Sequence, residues 1–146
     1  MTEGTLRVSL HLGDCLRVMG EMPSACVDAV ITDPPYSSGG LMRCDRMRSP
    51  AQKYLGRQWR DFSGDNRDQR SWMRWCALWI AECARLLRSG GYFLMFCDWR
   101  QLPTASDALQ AGGIVWRGVV VWDKGRSARA PHKGYFRHQC EYVLWG

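Results

Sequence analysis

Val27-Asp28-Ala29-Val30-Ile31-Thr32-Asp33-Pro34-Pro35-Tyr36 is the stretch that decides the fold. Its first six residues are short, β-branched and nearly all apolar after Asp28. That pattern predicts a strand buried on both faces of a parallel sheet. The prolines stop the strand, because proline donates no ladder hydrogen bond and fixes its own backbone. In open α/β sheets, ligands bind beyond the carboxyl ends of the strands. Asp33, Pro34, Pro35 and Tyr36 therefore stand where a site is expected.

The tetrapeptide has specific chemistry. An exocyclic amine on a nucleobase is a poor nucleophile, because its lone pair is conjugated into the ring. A carboxylate and a carbonyl accepting its two N–H bonds would push electron density onto the nitrogen and hold it in line with a methyl donor. Asp33 supplies the carboxylate. The two prolines stiffen the turn and leave the Pro34 carbonyl able to accept. Tyr36 can stack on a base that has left its helix. Asp-Pro is also ordinary strand-ending turn chemistry. A fixed four-residue string, however, arises by chance about once in a thousand chains of this length, taking each residue near ~5%.

The flanks read as an alternation of strands and helices. Leu6 to Leu12 alternates apolar and polar residues and predicts a short strand. Asp14 can cap a short helix from Cys15 to Met22, which Pro23 stops. Ser71 to Leu87 has helical periodicity, with Trp72, Trp75, Cys76, Trp79, Ile80, Cys83 and Leu86 on one face. Asp65, Asn66 or Asp68 could cap it, and Gly90-Gly91 closes its end. Its tryptophan stripe reads as core. Tyr92 to Cys97 is a strand, and Leu102 to Ala111 a helix with Pro103 in its first turn. Ile114 to Trp122 and Cys140 to Trp145 are strands joined by a basic loop, able to pair antiparallel at one side of the sheet. The order is that of an α/β fold.

The chain has 146 residues, which suits one domain with one core. With 46% hydrophobic and 23% charged residues it has the composition of a soluble globular protein rather than a disordered or fibrous one. No apolar run approaches the roughly 20 residues of a membrane span, and residues 1–12 lack a signal pattern. A cytoplasmic location is the expectation. The seven cysteines are odd in number and scattered, with no CxxC pair, and the three histidines complete no zinc pattern. No metal is expected. Most of these cysteines sit in apolar segments and read as small buried hydrophobes in a reducing compartment.

The formal charge of +6 is unevenly placed. Residues 43–74 hold nine bases against four acids, and residues 124–146 hold five bases against one acid. Residues 37–70 read as a basic, mobile loop inserted after the Asp-Pro-Pro-Tyr string. There Arg43, Arg46, Arg48, Lys53, Arg57 and Arg60 interleave with Tyr54, Trp59 and Phe62, a mixture that can hold phosphates and stack on bases. Lys124, Arg126, Arg129 and Lys133 form a second basic stretch. Both fit DNA contact, and both equally fit a solvated surface.

The chain resembles the permuted (β-group) amino-methyltransferases of DNA. The resemblance rests on Gly13-Asp14-Cys15-Leu16, then Val27 through Tyr36, then Leu86-Leu87-Arg88-Ser89-Gly90-Gly91. It continues through Asp98-Trp99-Arg100-Gln101-Leu102-Pro103, Trp116-Arg117-Gly118, Val121-Trp122-Asp123-Lys124 and Gln139-Cys140-Glu141-Tyr142-Val143-Leu144-Trp145-Gly146. Asp65-Asn66-Arg67-Asp68-Gln69-Arg70 is similar to members carried by phages and prophages. The resemblance implies a partial Rossmann-like S-adenosylmethionine-dependent methyltransferase fold, mostly parallel, with an antiparallel pair at its C-terminal end. It implies methyl transfer from S-adenosylmethionine to adenine N6 in double-stranded DNA, with a flipped target base in contact with Asp33, Pro34, Pro35 and Tyr36. Asp at the first motif position goes mostly with adenine; cytosine N4 is the alternative target. Asp33 and Asp14 would lie on the cofactor side, although helix capping accounts for Asp14 equally well. The family's Phe-x-Gly-x-Gly cofactor turn does not occur in this sequence. Residues 1–146 are therefore expected to form a single incomplete catalytic domain that exposes an apolar sheet edge. It would need a C-terminal half or a second copy. The alternatives are an inactive remnant that binds DNA through its basic loops and an inert fragment that folds poorly.

Overall fold

A computed structural model describes residues 7–35, 67–125 and 133–146. Its elements are α1 (Cys15–Gly20), β1 (Val27–Thr32), α2 (Gln69–Leu86), β2 (Leu87–Cys97), α3 (Leu102–Ala111), β3 (Gly118–Asp123) and β4 (Cys140–Trp145). The strands form one sheet in the order β1-β2-β4-β3. β1 pairs parallel with β2, and β4 pairs antiparallel with both β2 and β3. Three strands thus share a direction and β4 alone opposes them. This is the mixed α/β sheet expected.

The helices start where local chemistry directs. The Asp14 carboxylate accepts from the Leu16 and Arg17 amides and opens α1. Asp68 does the same for α2, accepting from Arg70 N at 3.0 Å and Ser71 N at 2.9 Å. Gln69 and Arg70, assigned from sequence to the inserted loop, form the first turn of α2. One stripe of α2, Trp72, Cys76, Trp79, Ile80, Cys83 and Leu86, is buried. It packs against Phe93, Met95 and Cys97 of β2, Leu144 of β4, and Ala105, Ala108 and Leu109 of α3. Leu16 and Met19 of α1 lie against the same cluster. Gly112 lets α2 and α3 close on each other: a Cβ there would stand 2.4 Å from Ile80 Cγ2. Arg85 and Arg88 fasten the α1–β1 connection. Arg85 donates to the carbonyls of Met19 and Met22, and Arg88 ion-pairs with Asp28 while donating to the Ala25 carbonyl. That grip spans Ala25, which holds a left-handed φ of 52°.

All three described helices therefore share one face of the sheet, and among the described residues no helix covers the other. Successive strand residues point to opposite faces. Phe93 and Met95 are fully buried on the helix side. On the opposite side Ile31 is 70% exposed, Val120 52% and Trp122 47%, with Tyr92 beside them. Among the described strand residues only Val143, in the central strand β4, is buried on that side. The expectation that β1 is buried on both faces is thus corrected. β1 is an edge strand of the described sheet, with Asp28, Ala29 and Ile31 exposed.

Three further expectations are corrected. No strand forms in the described part of Leu6 to Leu12, where Val8, Leu10 and Leu12 are 73–100% exposed. Alternation supplies a strand's faces but not its ladder, and no described strand pairs with it. β3 begins at Gly118 rather than Ile114, because Ile114 N turns back to Leu109 O at the end of α3. Gly90 and Gly91 lie inside β2 rather than before it. They absorb an irregularity in register with β1, and Gly90 has a φ of +78°. The cysteines follow the reading in part: of the six described, Cys76, Cys83 and Cys97 are buried, whereas Cys26 and Cys140 are half-buried and Cys15 is exposed. Cys44 lies outside the described residues.

Candidate active site

Asp33, Pro34 and Pro35 leave the carboxyl end of β1 directly after Thr32. Pro34 is buried, Pro35 half-buried and Asp33 exposed. The turn is pinned from below: the Trp72 indole N–H donates to the Pro35 carbonyl at 2.7 Å. Trp72 is fully buried, so this bond satisfies a donor that would otherwise be stranded in the core. The Pro34 carbonyl accepts no hydrogen bond from the described residues. Tyr36 lies outside the described residues.

Sheet register fixes what surrounds Asp33. Ile31 pairs with Leu94, and Leu94 with Trp145, so these three share the uncovered face. Asp33 follows Thr32, the last paired residue of β1, where strand alternation turns it to the face of Ile31, and the charges of Glu141 and Lys124 reach it. Phe96, on that face of β2, pairs with Val143. Val143 pairs with Val120, and Glu141 with Trp122. Glu141 and Trp122 thus occupy the same face at the same end of the sheet. Trp122 meets Phe96 edge-to-face at 5.8 Å, and Lys124 Nζ lies 5.4 Å from the Trp122 ring centre. Lys124 also donates to Glu141 Oε1 at 2.6 Å, both side chains being about a quarter to a third exposed.

This setting acts on the carboxylates. Partial desolvation raises the Asp33 carboxyl above the ordinary range, the Glu141 charge adds to the rise, and Lys124 opposes it. The Cys97 thiol, beneath the same corner, is pushed up to about 12 by burial and then by Asp98, Glu141 and Asp33. Asp98 is raised chiefly by burial, while its carboxylate accepts from Arg100 N and Gln101 N at the entry to α3. Trp99 stacks on His138 at 4.9 Å between ring centres, with Arg100 5.3 Å from the Trp99 ring. The arrangement can bind an amine through two acceptors, and it places aromatic rings and an ammonium group beside them.

A family model described as DNA methylase, of the N6/N4 type, matches residues 27–146, from β1 through β4. The chain belongs to the N6/N4 DNA methylase family. Among curated relatives, the Escherichia coli (strain K12) protein named as methylase YubD is 30% identical over 132 residues, covering 90% of this chain and 49% of its own length. The type II methyltransferase M.HinfI of Haemophilus influenzae is 25% identical, covering 91% and 36%. The Thermus thermophilus protein TTHA0409, described as a DNA modification methylase and solved complexed with S-adenosyl-L-methionine, superposes with a TM-score of 0.62 at 18% identity, covering 92% of this chain and 53% of its own. The M1.HpyAVI–SAM complex gives 0.56 at 20% identity, covering 91% and 52%. This methylase chain thus spans about half the length, or less, of the relatives it matches.

Of the two residues of this methylase chain singled out for the cofactor, Asp33 stands at the end of β1 and Asp14 at the start of α1. The Asp14 carboxylate is engaged in capping α1. Gly91 and Gly112 serve packing: a Cβ would come within 2.9 Å of the Asp28 carbonyl oxygen at Gly91, and within 2.4 Å of Ile80 at Gly112. Of the basic residues singled out for DNA, Lys124 is paired with Glu141 and Lys133 is exposed. Arg43, Arg46, Arg48, Lys53, Arg57, Arg60, Arg126 and Arg129 lie outside the described residues. Trp72 and Glu141 are site neighbours that the sequence did not single out. Trp72 read only as core stripe, although a buried indole N–H always raises the question of its acceptor. Glu141 stood in an apolar strand, where an acid needs a partner.

Proposed function

We propose that this chain forms the target-base side of an amino-methyltransferase that methylates adenine N6 in double-stranded DNA, with S-adenosylmethionine as methyl source. The observation that carries the proposal is the placement of Asp33-Pro34-Pro35 at the carboxyl end of β1, with Asp33 on the uncovered face and Pro35 held by Trp72. Family membership and the bound S-adenosyl-L-methionine of TTHA0409 support it. The target adenine leaves the duplex. Its amine donates one N–H to the Asp33 carboxylate and one to the Pro34 carbonyl, and Tyr36 stacks on the ring. The carboxylate carries the negative charge that stabilises the nitrogen as its lone pair is drawn into a new bond. Aspartate at position 33, by resemblance, favours adenine over cytosine N4.

The methyl source, as we propose it, is held mainly by a complementary segment that packs on the uncovered face and the free edge of β1. Ile31, Tyr92, Val120 and Trp122 give that face the apolar surface an intramolecular or obligate interface requires. A homo-oligomer is the competing occupant. The basic residues of 43–60 and 124–133 contact the phosphates.

The test is to supply the half of YubD that this chain does not span, together with labelled S-adenosylmethionine and DNA. YubD's own matching half serves as the positive control. The expected product is N6-methyladenine in the hydrolysed DNA. N4-methylcytosine would identify the alternative target. Absence of label, or label undiminished in Asp33→Ala, would overturn the proposal. The second reading, DNA binding without catalysis, is favoured by the excess of basic residues in 43–74 and 124–146. It predicts DNA binding that falls steeply with salt and no methyl incorporation.

A further inference from the structure

Lys124 and Glu141 do more than join β3 to β4. Their 2.6 Å bridge lies on the uncovered face, at the end of the sheet where Asp33 emerges. The pair is diagonal across the strands: Glu141 stands opposite Trp122, and Lys124 lies two residues beyond Trp122 on the same side. A salt bridge intended only to brace two strands needs no particular end of the sheet. This one lies at the sheet end where β1 gives way to Asp33, and both of its charges act on that carboxylate, which the proposed chemistry requires in its charged form.

We propose that Lys124 and Glu141 are positioning residues for Asp33: Lys124 ties down the Glu141 carboxylate and keeps Asp33 ionised and available to accept an amine N–H. The proposal rests on the acceptor role given to Asp33 above. The physical reason is charge balance. Asp33, Glu141 and Lys124 together carry one net negative charge. Without Lys124, two carboxylates share a partly desolvated corner, and like charges there oppose double ionisation. One of the two then takes up a proton in a range where an acceptor must be charged. Asp98 and Cys97, at the end of β2, also feel the Glu141 charge, and Arg100 acts on Asp98. Asp98 is turned into the α3 entry, and the Cys97 thiol stays protonated. Neither can replace Lys124 as the counter-charge.

A second consequence concerns geometry. Lys124 lies over the Trp122 ring while bonded to Glu141, so the ammonium fixes the aromatic wall and the second carboxylate together. An arginine at position 124 keeps the charge and can keep both contacts; a methionine keeps only the apolar reach.

The experiment is a carbon-13 NMR titration of the Asp33 side-chain carboxyl in the full chain, with no DNA or cofactor. Lys124→Met is expected to move the Asp33 midpoint up by about one pH unit, and Glu141→Gln to move it down by a similar amount. The double variant should fall between them, and Lys124→Arg should stay close to the unsubstituted chain. Amide spectra of each variant report whether the fold is kept. Because Glu141→Gln and Lys124→Arg are near-isosteric, the series reads out even if the methionine variant loosens the sheet. Midpoints that do not move in folded Lys124→Met and Glu141→Gln, or that move in the same direction, overturn the proposal. The titration needs no methyl transfer, so its outcome is separate from that of the function above. A chain that methylates DNA with immobile midpoints refutes only the positioning role.

Discussion

The two faces of the sheet are made of the same kinds of residue and have opposite fates. On the helix side, Trp72, Ile80, Phe93, Met95 and Leu109 are completely buried, and the indole N–H of Trp72 finds an acceptor in the core. On the other side, Ile31, Tyr92, Val120 and Trp122 keep half or more of their surface in contact with solvent, or nearly so. The covered face holds the fold together. The uncovered face holds Asp33, Glu141 and Lys124, the polar groups with chemical potential. Stability and reactivity are thus divided between the faces, and the turn pinned by Trp72 is where one is passed to the other.

Truncating a tryptophan on each side tests this division most severely. Trp72→Ala removes a fully buried side chain and the Pro35 anchor, and should cost about 3–5 kcal/mol in urea denaturation. Trp122→Ala, on the uncovered face, should cost under about 1 kcal/mol. Equal losses would refute the division. A smaller contrast comes from the glycines. Gly112→Ala forces a methyl against Ile80 and should cost about 1–3 kcal/mol. At Gly113 a Cβ meets nothing within 4 Å, and only the φ of +88° opposes alanine, for about 1 kcal/mol.

Thiol chemistry reports how tightly the covered side is packed. Burial pushes Cys76 and Cys97 up to about 12 and Cys83 to about 11. In the folded chain at pH 8, iodoacetamide should label Cys15 and spare these three, as peptide mass spectrometry would show. The smallest expected effect is one of pH. Because the Asp33 carboxyl is raised, the folded state holds its proton more tightly than the unfolded chain does. Ionising it therefore opposes folding. Asp33→Asn should match the unsubstituted chain in thermal midpoint below the ordinary carboxylate range and exceed it slightly at pH 7.

Much of the covered half was legible from sequence. α3 and β4 occupy the ranges read from periodicity, Leu102–Ala111 and Cys140–Trp145, and α2 is capped by one of the residues proposed for it, Asp68. These features depend on neighbours within a turn or on one apolar face. The segment from Leu6 to Leu12 shows the limit, since alternation cannot say whether a partner strand is present. β1 shows it again: an apolar run states what could be buried, not what covers it. At the site, the Asp33-Pro34-Pro35 string was legible because its chemistry is local. The Trp72–Pro35 bond and the Lys124–Glu141 pair were not, because they join residues 37 and 17 positions apart through packing and register.

Methyl incorporation into DNA by this chain and the complementary half of YubD, with the unsubstituted chain compared with folded Asp33→Ala, is the decisive measurement. Label recovered as N6-methyladenine and reduced at least about a hundredfold by the substitution is the predicted result. Label that is absent while the control halves are active, or that persists in Asp33→Ala, would contradict it.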